Sequence, residues 1–255
     1  AQYRESGARG IILYRRNYQD PGQMRRLIGE LEDGVGKRLL VCVDHEGGRV
    51  IMFRDGFTVF PDNLTFGTVG KDAYVKRQGE IEAAELRSVG VDVNFAPDLD
   101  ILAERYGPAL NRSYAKDPDR VSRLGATRIR AMQSGGVSAT AKHFPGKCHA
   151  TQDAHMKLPF IDSTMEEMRA WHLKPFVAAI EAGIDCIMTS HPCYRRIAPD
   201  MPATFSRLIV HDLLRTELGF KGCVVTDDLE MGAVKEVAPI EEAIVRAAAA
   251  GHDMF

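Results

Sequence analysis

The segment Lys142-His143-Phe144-Pro145-Gly146-Lys147-Cys148-His149-Ala150-Thr151-Gln152-Asp153-Ala154-His155 gathers three of the chain's eight histidines in one loop behind a short apolar run. Asp153 and His155 stand two residues apart, so an extended backbone puts both side chains on one side. A carboxylate beside an imidazole favours the protonated ring and fixes its tautomer, which makes the pair a candidate acid/base unit. On these residues alone two other readings stay open. One is a solvated polar loop. The other is a metal site drawn from His143, Cys148, His149, Asp153 and His155, although their spacing fits no common structural zinc pattern.

A second segment, Gly222-Cys223-Val224-Val225-Thr226-Asp227-Asp228, ends an apolar run in two aspartates. A lone carboxylate at the tip of a buried strand is costly to bury and poorly explained by packing. Asp227 is therefore the candidate for chemistry, whereas Asp228 reads equally well as the N-cap of a following helix. Lys142, His191 and Asp227 together are a further metal alternative, weakened by the absence of a His-x-His pair. In Val43-Asp44-His45-Glu46-Gly47-Gly48-Arg49 two glycines follow two acids, which predicts a tight turn with backbone close to a ligand.

These groups need elements to position them. Apolar runs at Gly10 to Tyr14, Leu39 to Val43, Val91 to Ala96, Ser138 to Ala141, Cys186 to Thr189 and Cys223 to Thr226, with a short one at Met254-Phe255, read as strands buried on both faces. Amphipathic stretches alternate with them: one after Asp20-Pro21, then Lys71 to Ser88, Pro118 to Ser134, Met165 to Ala182, Ser206 to Leu218 and Ile240 to Ala250. Asp20 and Pro21 are an N-cap and a first-turn proline. Ser163 with Glu166 predicts a capping box, and Gly90, Gly183 and Gly219 predict helix ends.

Strand–helix alternation means a parallel α/β fold. Nearly every run finishes in polar or ionisable residues, as at Asp44-His45-Glu46, Asp98 with Asp100, Lys142-His143, Ser190-His191 and Asp227-Asp228. Groups delivered from many strand ends suit a (β/α)8 barrel, whereas a doubly wound sheet concentrates them at one switch point. The expectation is a TIM-like (β/α)8 barrel forming a single domain over residues 1–255, lacking its first strand and last helix.

At 255 residues with a net charge of -2, the chain is not a basic nucleic-acid binder. No run of about 18 apolar residues is present to span a bilayer. Five cysteines without a CxxC pair fit a reducing, cytoplasmic setting, with Cys42, Cys186 and Cys223 as small buried hydrophobes.

Several motifs then fall in register. Lys142-His143-Phe144-Pro145-Gly146 followed by Asp153-x-His155, Asp44-x-Glu46-Gly47-Gly48-Arg49-Val50, Arg112-Ser113-Tyr114 and Thr226-Asp227-Asp228-Leu229-x-Met231 resemble the β-N-acetylglucosaminidases of glycoside hydrolase family 3. The resemblance implies a retaining exo-β-N-acetylglucosaminidase without cofactor or metal, acting on small peptidoglycan- or chitin-derived saccharides. By the same resemblance Asp227 is the nucleophile, Asp153 and His155 form the acid/base dyad, and Asp44, Arg112, Lys142 and His143 hold the sugar's hydroxyls. A phosphorylase with the same dyad and a sugar-binding barrel without turnover are the alternatives. Lys147-Cys148 and Met52 depart from the family pattern, which bears on loop path and substrate range.

A dyad acts as a unit, so D153N and H155Q should each lower kcat/KM by about 100-fold to 10,000-fold, and the double variant should fall little further. Independent, multiplying losses in steady-state kinetics would speak against the pair.

Overall fold

The structure, a computed structural model, describes residues 7–102, 110–147 and 157–255. Six parallel strands form one sheet, curled into a half-barrel: β1 (Gly10–Leu13), β2 (Leu40–Val43), β3 (Val93–Asn94), β4 (Ser138–Phe144), β6 (Cys186–Thr189) and β8 (Cys223–Val225), hydrogen-bonded in that order. Met254 adds a parallel bridge to Val225 at the far edge. The expected strands are all present within a few residues; β4 runs three residues further than its apolar core and so carries Lys142 and His143 inside the strand.

Helices follow the strands: α1 (Pro21–Val35), α2 (Asn63–Val69), α3 (Asp72–Ser88), α4 (Pro118–Ser134), α5 (Met165–Glu167) continuing through a π-helical turn (Met168–His172) into α6 (Lys174–Glu181), a π-helical segment (Leu208–Glu217), α7 (Gly232–Lys235) and α8 (Ile240–Ala250). Asp20 caps α1 by accepting from the Gln23 backbone N–H, with Pro21 in the first turn. Gly90, Gly183 and Gly219 take positive φ just past their helices. The capping box sits one residue later than expected: Thr164, not Ser163, is the cap, and Glu167, not Glu166, reaches back to it. The correction for Asp228 is larger. It caps no helix, since α7 starts after Met231. Its carboxylate accepts from the Glu230 backbone N–H and shapes a turn.

A pairing of β5 (Phe160–Ile161) with β7 (Cys193–Tyr194) lay below sequence detection, because two-residue strands show no period. The main core joins the outer face of the sheet to the helices, with Val41, Val43, Leu86, Ile129, Ile187 and Phe176 fully buried and Phe144 edge-on to Phe176. A second cluster contains Cys42, Val93, Phe95, Cys186, Met188 and Val225, with Cys223 and Met254 against it. Cys186 and Cys223 are in register on adjacent strands. No helix among the described residues is long and apolar enough to cross a membrane.

Two close approaches fix the loops around the strand ends. Gly47 and Gly48 have φ of 101° and 58°. A Cβ on Gly48 would lie 2.6 Å from the Asp62 Cβ, so what presses on this turn is the chain itself at Pro61-Asp62 rather than a ligand. On α2, a Cβ at Gly67 would fall on the Tyr114 carbonyl. The G67A variant should therefore lose about 1–3 kcal/mol through overpacking and unfold at lower temperature than wild type. An unchanged Tm would show that the Tyr114 turn yields freely.

Candidate active site

The C-terminal ends of β2, β3, β4 and β8 bring Asp44, Arg112, Lys142, His143 and Asp227 into one cluster. The Asp153–His155 pair, with Cys148 and His149, lies outside the described residues. At the centre is Glu46, two residues past the Asp44 at the end of β2. Its carboxylate takes a bidentate pair from Arg112, Nε at 2.9 Å and Nη2 at 2.7 Å. Lys142 Nζ lies 2.7 Å from Glu46 Oε1 and 2.6 Å from Asp44 Oδ1. Arg112 also approaches Asp98 Oδ2 at 3.4 Å.

A polar strut supports this cluster from behind. Arg128, fully buried on α4, forks onto Glu82 of α3 at 2.8 and 3.0 Å. The same guanidinium donates to the Glu46 backbone carbonyl at 2.7 Å and to Asn63 Oδ1 at 3.0 Å. Asn63 in turn donates to the Arg112 carbonyl at 2.6 Å. Asn94 on β3 exchanges two 2.9 Å hydrogen bonds with the His45 backbone. The loops that carry Glu46 and Arg112 are thus pinned through their main chains.

Electrostatics follow from burial. Desolvation opposes ionisation of Glu46, yet Arg112 and Lys142 outweigh it and hold its carboxyl well below the usual range. Burial likewise opposes the Lys142 charge, and Asp44 and Glu46 reverse the effect, so its net shift is upward. Asp227 is raised by burial but lowered more by Lys147, His191, the Asp228 backbone N–H and Lys142; the net shift is downward and the group is ionised at neutral pH. The Asp228 N–H donates to Asp227 Oδ1 at 2.9 Å. His143 is lowered well below its ordinary value by burial and then by Lys147, Arg112 and Lys142, so the ring is neutral.

Side-chain exposure separates what a ligand meets from what stands behind. Asp44, Asp227 and Arg112 are 25%, 22% and 20% exposed, whereas Glu46, Lys142 and His143 are only 2–3% exposed. Glu46, Asp98 and Asp100 stand among the ionisable strand-end residues of the sequence, which assigns them no role. The signal was available as polar residues at strand ends, but nothing local distinguishes a partner of a site residue from a turn residue.

Neither metal reading of the described residues fits. Lys142 Nζ is held by two carboxylates, and both ring nitrogens of His191 face protein partners, Thr204 Oγ1 at 2.8 Å and the Asp228 carbonyl at 3.0 Å. Asp98, Asp100 and His143 have potential ligand atoms within 4.8 Å of one another. There the Arg112 guanidinium supplies the cation, the Lys147 backbone N–H occupies Asp100 Oδ1 at 2.8 Å, and His143 Nδ1 bonds Asp100 Oδ2 at 2.8 Å.

A curled parallel sheet that presents ionisable residues from its strand ends is the arrangement of barrel-type α/β enzymes. The chain belongs to glycoside hydrolase family 3: the profile of the glycosyl hydrolase family 3 N terminal domain matches residues 4–255. A beta-hexosaminidase of Idiomarina loihiensis is 37% identical over 252 residues, covering 96% of this chain and 75% of the relative. The structure of a family 3 β-N-acetylglucosaminidase from Paenibacillus sp. str. FPU-7 superposes with a TM-score of 0.95 at 38% identity over 99% of this chain, which spans 49% of that one. NagZ from Neisseria gonorrhoeae, in complex with N-trifluoroacetyl-D-glucosamine, superposes with a TM-score of 0.89 at 32% identity, over 96% of this chain and 73% of that one.

Removing the Glu46 charge leaves two buried cations less compensated, so E46Q should lose about 3–5 kcal/mol at pH 7. Because the folded-state value is depressed, this stabilisation is complete above the unfolded value of about 4.3 and is lost as pH falls through the folded one. The gap between wild type and E46Q in urea unfolding should therefore narrow below about pH 4. A deficit that stays constant with pH would contradict the ion-pair account.

Proposed function

We propose that this chain is the catalytic domain of a retaining exo-β-N-acetylglucosaminidase that removes terminal β-linked N-acetylglucosamine from small peptidoglycan- or chitin-derived saccharides. The carrying observation is Asp227: a carboxylate at the tip of β8, held ionised beside Asp44, Glu46 and Asp98, which are tied to Lys142 and Arg112. The names of its relatives, beta-hexosaminidase and β-N-acetylglucosaminidase, support the substrate class.

In this reading Asp227 attacks the anomeric carbon while His155, supported by Asp153, protonates the leaving oxygen. The covalent glycosyl-aspartate is then opened by water, with His155 acting as base. Asp44 and Arg112 meet the sugar's hydroxyls directly; Lys142 and His143 orient them from behind. In the same reading residues 1–255 belong to one domain of TIM-like (β/α)8 type.

D227N should abolish turnover of an aryl β-N-acetylglucosaminide, by about 1,000-fold or more, with unfolding temperature little changed. A slow fluorinated substrate should leave its label on Asp227 by peptide mass spectrometry. Label on Asp228 would overturn the assignment. Product analysis with and without inorganic phosphate distinguishes hydrolysis from phosphorolysis.

A further inference from the structure

The carboxyl of Asp100 lies behind His143 with nothing else to do in the reaction just described. It is 7% exposed, and its Oδ2 is 2.8 Å from His143 Nδ1. Its Oδ1 accepts the Lys147 backbone N–H, and its own backbone N–H donates to Asp98 Oδ1 at 2.9 Å. On the opposite side of the ring, His143 Nε2 faces Asp227 Oδ2 at 3.9 Å. The three groups make a line, Asp100–His143–Asp227, with the neutral imidazole in the middle.

A neutral imidazole carries one N–H and one lone pair, so with Asp227 ionised two arrangements, one proton apart, keep the hydrogen bond between Asp100 and Nδ1. If Asp100 is ionised, Nδ1–H donates to it and the Nε2 lone pair faces the Asp227 carboxylate, electron pair against anion. If Asp100 is protonated, its O–H donates to Nδ1 and Nε2–H points toward Asp227, dipole toward charge. The salt bridges of the two nearby cations go to other acids. Lys142 contacts Asp44 and Glu46, and Arg112 contacts Glu46 and Asp98, so among the described residues neither Lys142 nor Arg112 forms a salt bridge to the Asp100 carboxyl. Burial and a neighbouring carboxyl both favour the protonated form of a carboxylic acid. Burial and then Asp98 push Asp100 up to about 7.

We propose that Asp100 is a positioning residue that, as a neutral acid, locks His143 in the Nε2–H tautomer and so directs an N–H dipole at the Asp227 nucleophile. The inference rests on the nucleophile reading for its kinetic consequence, but the tautomer itself is a property of the free protein. Besides His143, the groups acting on Asp227 are Lys147, His191, Lys142 and the Asp228 backbone N–H; on Asp100, Asp98 favours the proton and Lys147 and Arg112 oppose it, burial and Asp98 prevailing.

The test is two-bond 15N–1H correlation of the histidine rings in labelled full-length chain, with His143 assigned by its loss in H143Q. Wild type should show Nε2–H near pH 6 and convert toward Nδ1–H as pH rises through Asp100 deprotonation. D100N should stay Nε2–H at every pH, because its carboxamide N–H2 replaces the acid O–H while its oxygen still accepts from Lys147. Kinetically, D100A should lose about 10-fold to 100-fold in kcat/KM, the scale of one lost buried hydrogen bond, and D100N should recover most of that loss. Without the Nε2–H dipole the Asp227 carboxyl is less acidic, so the acid limb of kcat/KM should move to higher pH in D100A and stay in D100N. Nδ1–H in wild type at pH 6, or D100N no better than D100A, would overturn the proposal. Should D100A not fold, the wild-type and D100N spectra decide alone. Should wild type turn over no aryl N-acetylglucosaminide, the proposed function fails while the ring spectra still judge the tautomer.

Discussion

The structure depends on a single buried carboxylate placed between two cations. Glu46 is shared by Arg112 and Lys142, with Asp98 and Asp44 as their second partners, and without it both cations would be buried undercompensated. Arg112 comes from 66 residues away and Lys142 from the middle strand of the sheet. The carboxylate therefore ties the ends of β2 and β4 and the turn at 110–112 into one object. Its geometry is set before any sugar arrives, which is what an electrostatic site needs if reorganisation is not to be part of the barrier.

That arrangement explains why the helical layer contains a fully buried arginine. Arg128 touches none of the site's carboxylates directly; it grips the Glu46 main chain and, through Asn63, the Arg112 main chain. Held by Glu82 on the neighbouring helix, its guanidinium stays charged and rigidly placed. The packing of α3 against α4 thereby becomes positional accuracy at the strand ends. Gly67 does similar work sterically, letting α2 approach the turn that follows Arg112.

Much of this was legible in the chain. The apolar runs gave the strands because a strand buried on both faces leaves no polar alternation to confuse it. Asp20-Pro21 announced α1, and Asp227 was conspicuous because nothing about packing calls for an acid after Val224-Val225-Thr226. Glu46 was not, since beside two glycines it looks like one more turn residue, and its partners are distant in sequence. Arg128 was also invisible: on an amphipathic helix an arginine is ordinarily solvated, and only the Glu82 opposite it reveals burial. The capping box was misplaced by one because Ser163 and Thr164 are equivalent caps and Glu166 and Glu167 equivalent partners. There the choice is made by where the chain leaves β5, not by residue type.

The sheet has chemically opposite ends. Charges crowd its C-terminal rim, while part of its interior is lined with sulfur from Cys42, Cys186, Met188, Cys223 and Met254. Burial pushes the Cys42 thiol up to about 12, so in the closed sheet it is almost wholly the unreactive protonated form. A thiol reagent can then reach it at an appreciable rate only when neighbouring strands part. The protein thus carries its own clock for opening of the sheet, written in sulfur and separate from the charged rim, and it runs whether or not the enzyme is turning over.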